Sequence, residues 1–245
     1  MGAKFKLEPI AKMLIVAVVV IVLIVFIFVG FMLLPNYESL MIESGWVLAD
    51  LVHIPQFLIP FLLIYYVSEG NLKEYGFNLR EVPHFTHKRM FGIGLFFGLV
   101  FSLRYVIQLV TDVPLDIPYP VTPLNIVGNM TFQWIIVGVS EETMFRGLIQ
   151  TYLMERLEGN VEIAGREFHV GTVIAAIFWG GFHFINVLIG MPIDAAFFLV
   201  LITSAIGLLM GYAYQKTGSL LTTIVIHNTI FGVPTLIGYI LYFLF

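Results

Sequence analysis

Apolar residues run through this chain in blocks long enough to cross a bilayer, separated by short polar breaks. The blocks fall at about 13–34, 44–66, 90–110, 124–153, 170–189, 195–214 and 219–245. Each meets or approaches the roughly 20 residues that cover about 30 Å of hydrocarbon as a helix. Runs of this length imply helices rather than barrel strands, because backbone groups in lipid must be hydrogen-bonded within their own segment. The pattern therefore predicts an all-α, polytopic transmembrane helix bundle of seven spans, or eight if Pro234 divides the last block. The longest polar stretch, Ser68 to Arg89, is expected to carry a short surface helix. Glycines four apart, Gly94/Gly98 and Gly207/Gly211, predict close packing between helices. No repeat or linker divides the chain, so residues 1–245 read as a single transmembrane domain.

Composition supports hydrocarbon as the solvent. Of 245 residues 59% are hydrophobic and 11% charged, against about a quarter charged in soluble domains. The first block follows Lys4 and Lys6 but outruns a signal-peptide core of roughly 7–15 residues and lacks a small-x-small cleavage site, so it reads as a span. Basic residues then orient the bundle. With a cytoplasmic N-terminus, the inner segments hold Lys4, Lys6, Lys12, Lys73, Arg80, Lys88, Arg89, Arg156, Arg166 and Lys216. The outer loops hold only acids (Glu38, Glu43, Asp112, Asp116 and Asp194), as the positive-inside rule requires. The net charge of -4 comes without a basic stretch, which removes nucleic acid as a partner. The absence of cysteine removes disulfides, thiolate metal sites and a cysteine nucleophile.

Ionisable groups at membrane depth are expensive and mark sites or pairs. Here they are Asp50, Arg104, Glu141, Glu142 and Arg146, with His53, His183 and His227. At 1.5 Å per residue, Glu141 and His183 lie roughly 20 Å from the inner face and His227 roughly 12 Å. Asp50 and Arg104 fall at similar depth on neighbouring spans, and a structural salt bridge between them, with His53 on the Asp50 face, accounts for that trio. In Ser140-Glu141-Glu142-Thr143-Met144-Phe145-Arg146-Gly147, Glu142 and Arg146 are spaced to form an (i, i+4) ion pair. Glu141 points about a quarter-turn away. Burial beside a second carboxylate pushes its affinity for a proton towards that of a general base.

This Glu-Glu-x-x-x-Arg helix resembles the first signature of the CPBP family, the type II CAAX prenyl endopeptidases and relatives named for abortive infection and bacteriocin immunity. The family's second motif, an aromatic residue four before a histidine, is matched by Trp179 and His183, with Trp where Phe is usual. Its third, a histidine followed four later by Asn or Asp, is matched by His227 alone, because Phe231 stands at the later position. Leu72-Lys73-Glu74-Tyr75-Gly76-Phe77 is similar to a short upstream element of the family. The motif-bearing half is about 124–232, within a single transmembrane protease-like domain. The resemblance implies metal-independent, cofactor-free glutamate-type chemistry, in which Glu141 and His183 activate a water and His227 steadies the oxyanion. Glu142 and Arg146 would then set charge and orientation, Trp179 would wall the pocket, and Gly180 and Gly181 would admit the substrate backbone. Asn186, one turn beyond His183, is an alternative oxyanion donor. Asn228, adjacent to His227, lies about 100° away and does not simply replace the missing residue.

The resulting expectation is an intramembrane endopeptidase, multi-pass in the membrane (the cell membrane in a prokaryote). It would cut a peptide bond near the C-terminus of a lipidated or membrane-associated protein. Three alternatives stay open. Phe231 favours a weak or inactive member acting as a membrane binding or immunity protein. Glu141, His183 and His227 are also a ligand set that catalytic zinc uses. Buried carboxylates and histidines fit a proton-coupled transporter too, although no inverted repeat is evident. A serine mechanism through Ser140 lacks a local histidine and a nucleophile elbow.

Overall fold

The computed structural model describes residues 7–245. Lys4 and Lys6 lie outside the described residues. In chain order the helices are α1 (Leu7–Met32), α2 (Tyr37–Ser44), α3 (Trp46–Val67), α4 (His87–Val110), α5 (123–156), α6 (Val170–Phe182), α7 (Ile193–Thr217) and α8 (Leu220–Leu244). Among the described residues six helices are long and apolar enough to cross a membrane: α1, α3, α4, Val170–Leu188, α7 and α8. Along α1 the large apolar side chains of Leu14, Ile15, Val22 and Phe26 are exposed, as expected where the surrounding medium is hydrocarbon. The protein is a multi-pass integral membrane protein. Pro234 sits inside α8, which continues through it, so the last block is one helix.

The fourth predicted block lies in α5, a helical stretch of unusual construction. Pro123 occupies its first turn and the Thr122 side chain caps the Asn125 N–H, two devices that satisfy or dispense with the unbonded amides at a helix start. Ordinary α geometry then alternates with two π segments, Phe132–Ile136 and Thr143–Gln150. The Glu141-Glu142 pair lies in the α segment between them.

The all-α bundle carries one small β element. Asn160–Ile163 (β1) and Arg166–His169 (β2) form an antiparallel hairpin, with Asn160 opposite His169 and Ile163 opposite Arg166. Its two-residue turn places Ala164 and Gly165 at φ 51 and 71, the left-handed pair that matches the twist of a tight hairpin. The polar stretch 68–89 does hold a short helix, one 3-10 turn at Leu72–Tyr75, which ends on Gly76 at φ 90.

The chain divides into two compact units. One takes the described part of Met1–Val18 with Pro60–Phe85 and Glu142–Thr223; the other takes Val19–Ile59, Thr86–Glu141 and Ile224–Phe245. In the first, α6 and α7 form the principal helix pair. A Cβ at Gly207 would meet Trp179 at 2.8 Å, and one at Gly211 would meet Thr172 at 3.0 Å. The Leu72–Tyr75 turn docks by Leu220 N–H donating to the Gly76 carbonyl (2.8 Å) and Asn78 Nδ2 donating to that of Gly218 (2.7 Å). In the second unit α4 packs on α8 through Gly94 and Gly98, where a Cβ would press on Thr229 and Val233 at 2.7 and 2.8 Å. Both predicted glycine pairs thus serve helix packing.

Candidate active site

In the second unit one carboxylate faces two imidazoles. His53 Nε2, from α3, lies 3.6 Å from Glu141 Oε1, and His227 Nε2, from α8, lies 4.0 Å from Glu141 Oε2. Side-chain exposures of 10% for Glu141, 12% for His53 and 1% for His227 put the group out of bulk water. The His53 ring is oriented by its own helix. Its Nδ1 is 2.7 Å from the Ala49 carbonyl, one turn back. A carbonyl oxygen only accepts, so Nδ1 carries the hydrogen and the neutral ring presents the Nε2 lone pair to Glu141. Phe132 packs edge-on against this ring (centroids 5.0 Å apart), and Phe231 lies against His227 (5.1 Å).

This arrangement corrects the reading of His53 as part of a structural Asp50–Arg104 trio. Arg104, half exposed, reaches Asp116 at 3.9 Å and donates to the Tyr105 hydroxyl at 2.6 Å, while Asp50 Oδ1 has no hydrogen-bond partner among the described residues. Equal depth placed Asp50 and Arg104 together, but depth does not fix which way a side chain points round its helix. The long Arg104 side chain extends towards the loop acid instead, as basic residues near helix ends do.

The first unit carries the other motif residues. Arg146 Nη1 meets Glu142 Oε1 at 2.9 Å with both side chains buried, the (i, i+4) pair expected from spacing. Its Nη2 donates to the Gly207 carbonyl (3.2 Å), and its guanidinium lies 4.7 Å from the Trp179 ring centre. The charge is therefore enclosed by a counter-ion, a dipole and a π face, the combination that makes burial of an ion tolerable. Next to it Gln150 donates to Thr172 Oγ1 (3.0 Å) and to the Gly211 carbonyl (2.8 Å). His183 stands where α6 gives way to the 3-10 turn His183–Ile189. Its Nδ1 is 2.8 Å from the Trp179 carbonyl and its ring is edge-on to the Trp179 indole. The same tautomer logic leaves the neutral His183 with a lone pair on Nε2. Trp179 itself is fully buried. Instead of walling a pocket, it supports Arg146 through its face and orients His183 through its carbonyl.

Asn186 Nδ2 donates to the His183 carbonyl (2.9 Å) and Asn228 Nδ2 to the Trp134 carbonyl (2.8 Å), so one N–H of each amide braces backbone. The Trp134 carbonyl belongs to the first π segment, where the backbone bonds are rearranged and a side chain from another helix is a ready partner. A Cβ at Gly138 would overlap Asn228 Oδ1, so glycine there gives the amide room. Gly180 is likewise a packing residue, tight against Ser204 and Val200 of α7, whereas Gly181 faces open space. Ser140 is buried and donates to the Val137 carbonyl (3.0 Å). As to zinc, among the described residues no three His, Asp or Glu side chains are arranged to hold a metal ion.

Just before α6, at the end of the hairpin, His169 Nδ1 accepts from the Gly171 N–H (3.0 Å) and caps the helix. Burial holds this imidazole below its ordinary pKa, while a backbone hydrogen bond with Leu157 works the other way.

Membrane depth and the family resemblance singled out Glu141, Glu142, Arg146, Trp179, His183 and His227 as motif members and missed the place of His53 beside Glu141. Among known families, residues 123–231 match the Rce1-like model, described as type II CAAX prenyl endopeptidase Rce1-like. No curated protein and no solved structure matches the chain.

Proposed function

We propose, taking residues 123–231 as an Rce1-like domain of the type II CAAX prenyl endopeptidase family, that the protein is an intramembrane endopeptidase of glutamate type. The observation that carries the reading is the buried Glu141 carboxylate with imidazole nitrogens 3.6 and 4.0 Å from its oxygens. Glu141 takes a proton from a bound water as the oxygen attacks the scissile carbonyl carbon. The C–O bond forms, the carbonyl π electrons move to oxygen, and the proton rests on Glu141. Collapse of this tetrahedral species breaks the C–N bond, and Glu141 returns the proton to the leaving nitrogen. His227 donates to the developing oxyanion, where exclusion of bulk water strengthens the bond. His183 is assigned to water activation on the residue match to the family motif, with its Trp179-anchored tautomer in support.

The ion pair of Glu142 with Arg146 keeps a charge beside Glu141 in sequence fixed in one place. The substrate is a peptide bond near the C-terminus of a lipidated or membrane-embedded protein, drawn from the lipid phase or the cytoplasmic side. The chain crosses the membrane seven times, α5 included, with its N-terminus in the cytoplasm. The test is hydrolysis of a panel of prenylated, acylated and unmodified peptides by the wild type, Glu141→Ala and His183→Ala, with and without a strong chelator. Equal hydrolysis by all three proteins retires the protease reading, and loss with chelator turns it towards a metal enzyme.

Phe231 favours a second reading, a binding or immunity protein that retains the family's cavity without its rate. Partner capture unaffected by Glu141→Ala, together with no hydrolysis of any peptide, would select it.

A further inference from the structure

The family pattern calls on the histidine of α8 and a residue four positions later, and here that later residue is a phenylalanine. The structure supplies a third imidazole from a different helix. His53 lies in α3, outside the 123–231 match, yet its Nε2 is closer to the Glu141 carboxylate than that of His227 (3.6 against 4.0 Å).

The His53 environment is that of a held acceptor. Its Nδ1–H is committed to the Ala49 carbonyl at 2.7 Å, and the edge-on Phe132 ring restrains rotation. Its Nε2 is buried with no hydrogen-bond partner among the described residues. A lone pair on Nε2 and a carboxylate oxygen 3.6 Å apart repel each other in a low-dielectric site unless a hydrogen lies between them. The separation is too long for a direct hydrogen bond, but it suits one water that donates a hydrogen to each atom. At ordinary hydrogen-bond lengths of about 2.8 Å such a water subtends roughly 80° between its two acceptors, near enough to its own bond angle for both bonds to form.

We propose that His53 is a catalytic residue that holds the attacking water jointly with Glu141; the inference rests on the endopeptidase reading above. Glu141 accepts the hydrogen that is transferred, and His53 accepts the one that stays. With both hydrogens fixed, an oxygen lone pair is left to point at the scissile carbonyl, the orientation that makes attack effectively unimolecular. In the tetrahedral species the new hydroxyl keeps its bond to Nε2. His53 itself neither gains nor loses a proton, so the balance of the reaction is unchanged. His53 thus adds, from α3, a hold on the nucleophile that is separate from the oxyanion contact missing at Phe231.

The experiment compares kcat and KM for the wild type, Glu141→Gln, His53→Ala and His53→Gln on the best peptide of the panel, with thermal melts of each purified protein. Glutamine keeps an acceptor oxygen on a side chain of similar reach and carries no charge. The expected result is a fall in kcat of about 10²-fold for His53→Ala, with KM within about threefold, and recovery of at least about tenfold by His53→Gln. Wild-type kcat in His53→Ala, with Glu141→Gln inactive, overturns the role of His53 alone. A loss in His53→Ala that Gln does not restore, at unchanged melting temperature, also overturns it, because a charge or packing role would behave that way. Should His53→Ala fail to fold, activity in His53→Gln within about tenfold of wild type supports the proposal and its absence overturns it. An inactive wild type, or a fully active Glu141→Gln, removes the parent reading as well.

Discussion

Removing the Arg146 side chain tests whether the motif's second glutamate is held by its partner. Glu142 and Arg146 are fully enclosed, and their 2.9 Å contact replaces the water that each would otherwise bind. Arg146→Met therefore leaves a carboxylate in low dielectric without its counter-ion, and it also removes the donor to the Gly207 carbonyl and the cation over Trp179. Breaking a buried pair from one side costs about 3–5 kcal/mol. Loss of the hydrogen bond to Gly207 lies within that range rather than on top of it, because the same side chain makes both contacts. For a chain of this size that is a fall in melting temperature on the order of 10 °C. The double variant Glu142→Gln/Arg146→Met has no isolated charge and is expected to recover more than half of the loss. The assay is a double-mutant cycle by equilibrium unfolding in detergent or bicelles, where a coupling energy of at least about 1.5 kcal/mol is expected. Additive single effects, with coupling below about 0.5 kcal/mol, would refute the argument that each charge is tolerated only because of the other. Arg146→Lys refines the case: it keeps the charge but loses the fork, so it should fall between wild type and Met.

Gly138→Ala should destabilise by about 1–3 kcal/mol, because its Cβ displaces Asn228 from the Trp134 carbonyl; the same change in an Asn228→Ala background should cost much less, and equal costs would disprove the link. Gly180→Ala should loosen the contact of α6 with α7 near Ser204, and Ser204→Gly should restore part of the lost melting temperature. For His169, burial depresses the folded-state pKa below 6.5, so the unfolded chain takes up the proton first as pH falls. Its stabilising contribution is complete above pH 6.5 and declines below it, since a protonated Nδ1 no longer accepts from Gly171. The protection factor of the Gly171 amide, its exchange rate taken relative to that of an unprotected amide at the same pH, should fall on acidification, and His169→Asn should flatten that dependence. Phe231→Asn, which restores the family's third motif, should raise kcat by up to about 10²-fold; unchanged or lower turnover would show that Phe231 is not what limits the rate.

Much of this was legible from residue order. The six helices long and apolar enough to span followed from apolar run length, because hydrocarbon thickness sets the number of helical residues directly. Glu142–Arg146 followed from a spacing of four on one helix. What failed was anything that depended on azimuth between helices. Asp50 and Arg104 share a depth but point to different neighbours, and His53 drew attention only as a companion of Asp50. The π segments leave no compositional mark, since a bond to the fifth residue on uses the same amides as a bond to the fourth. Gly180 looked like an opening for substrate because a small residue beside a histidine fits that role equally well. Only the position of Ser204 on α7 distinguishes the two. The hairpin was missed because its four-residue strands are brief beside the spans around them, and Ala-Gly is a weaker turn signal than Asn-Gly.

The two stretches of widened winding on either side of Glu141 and Glu142 have a consequence for how this helix tolerates insertion and deletion. Excising one residue between Phe132 and Ile136 would let the helix revert to ordinary pitch. Everything upstream would then keep nearly its azimuth relative to the carboxylates, because five residues of π winding and four of α winding sweep about the same angle. Such a chain would keep its hydrophobic length and every motif residue, and the change would fall on the turn itself, on Phe132 against the His53 ring and on the Trp134 carbonyl that Asn228 bonds. A single-codon deletion there is therefore absorbed by the wide turn, whereas the same deletion in the α segment Val137–Glu142 would turn everything upstream by about 100° against Glu142.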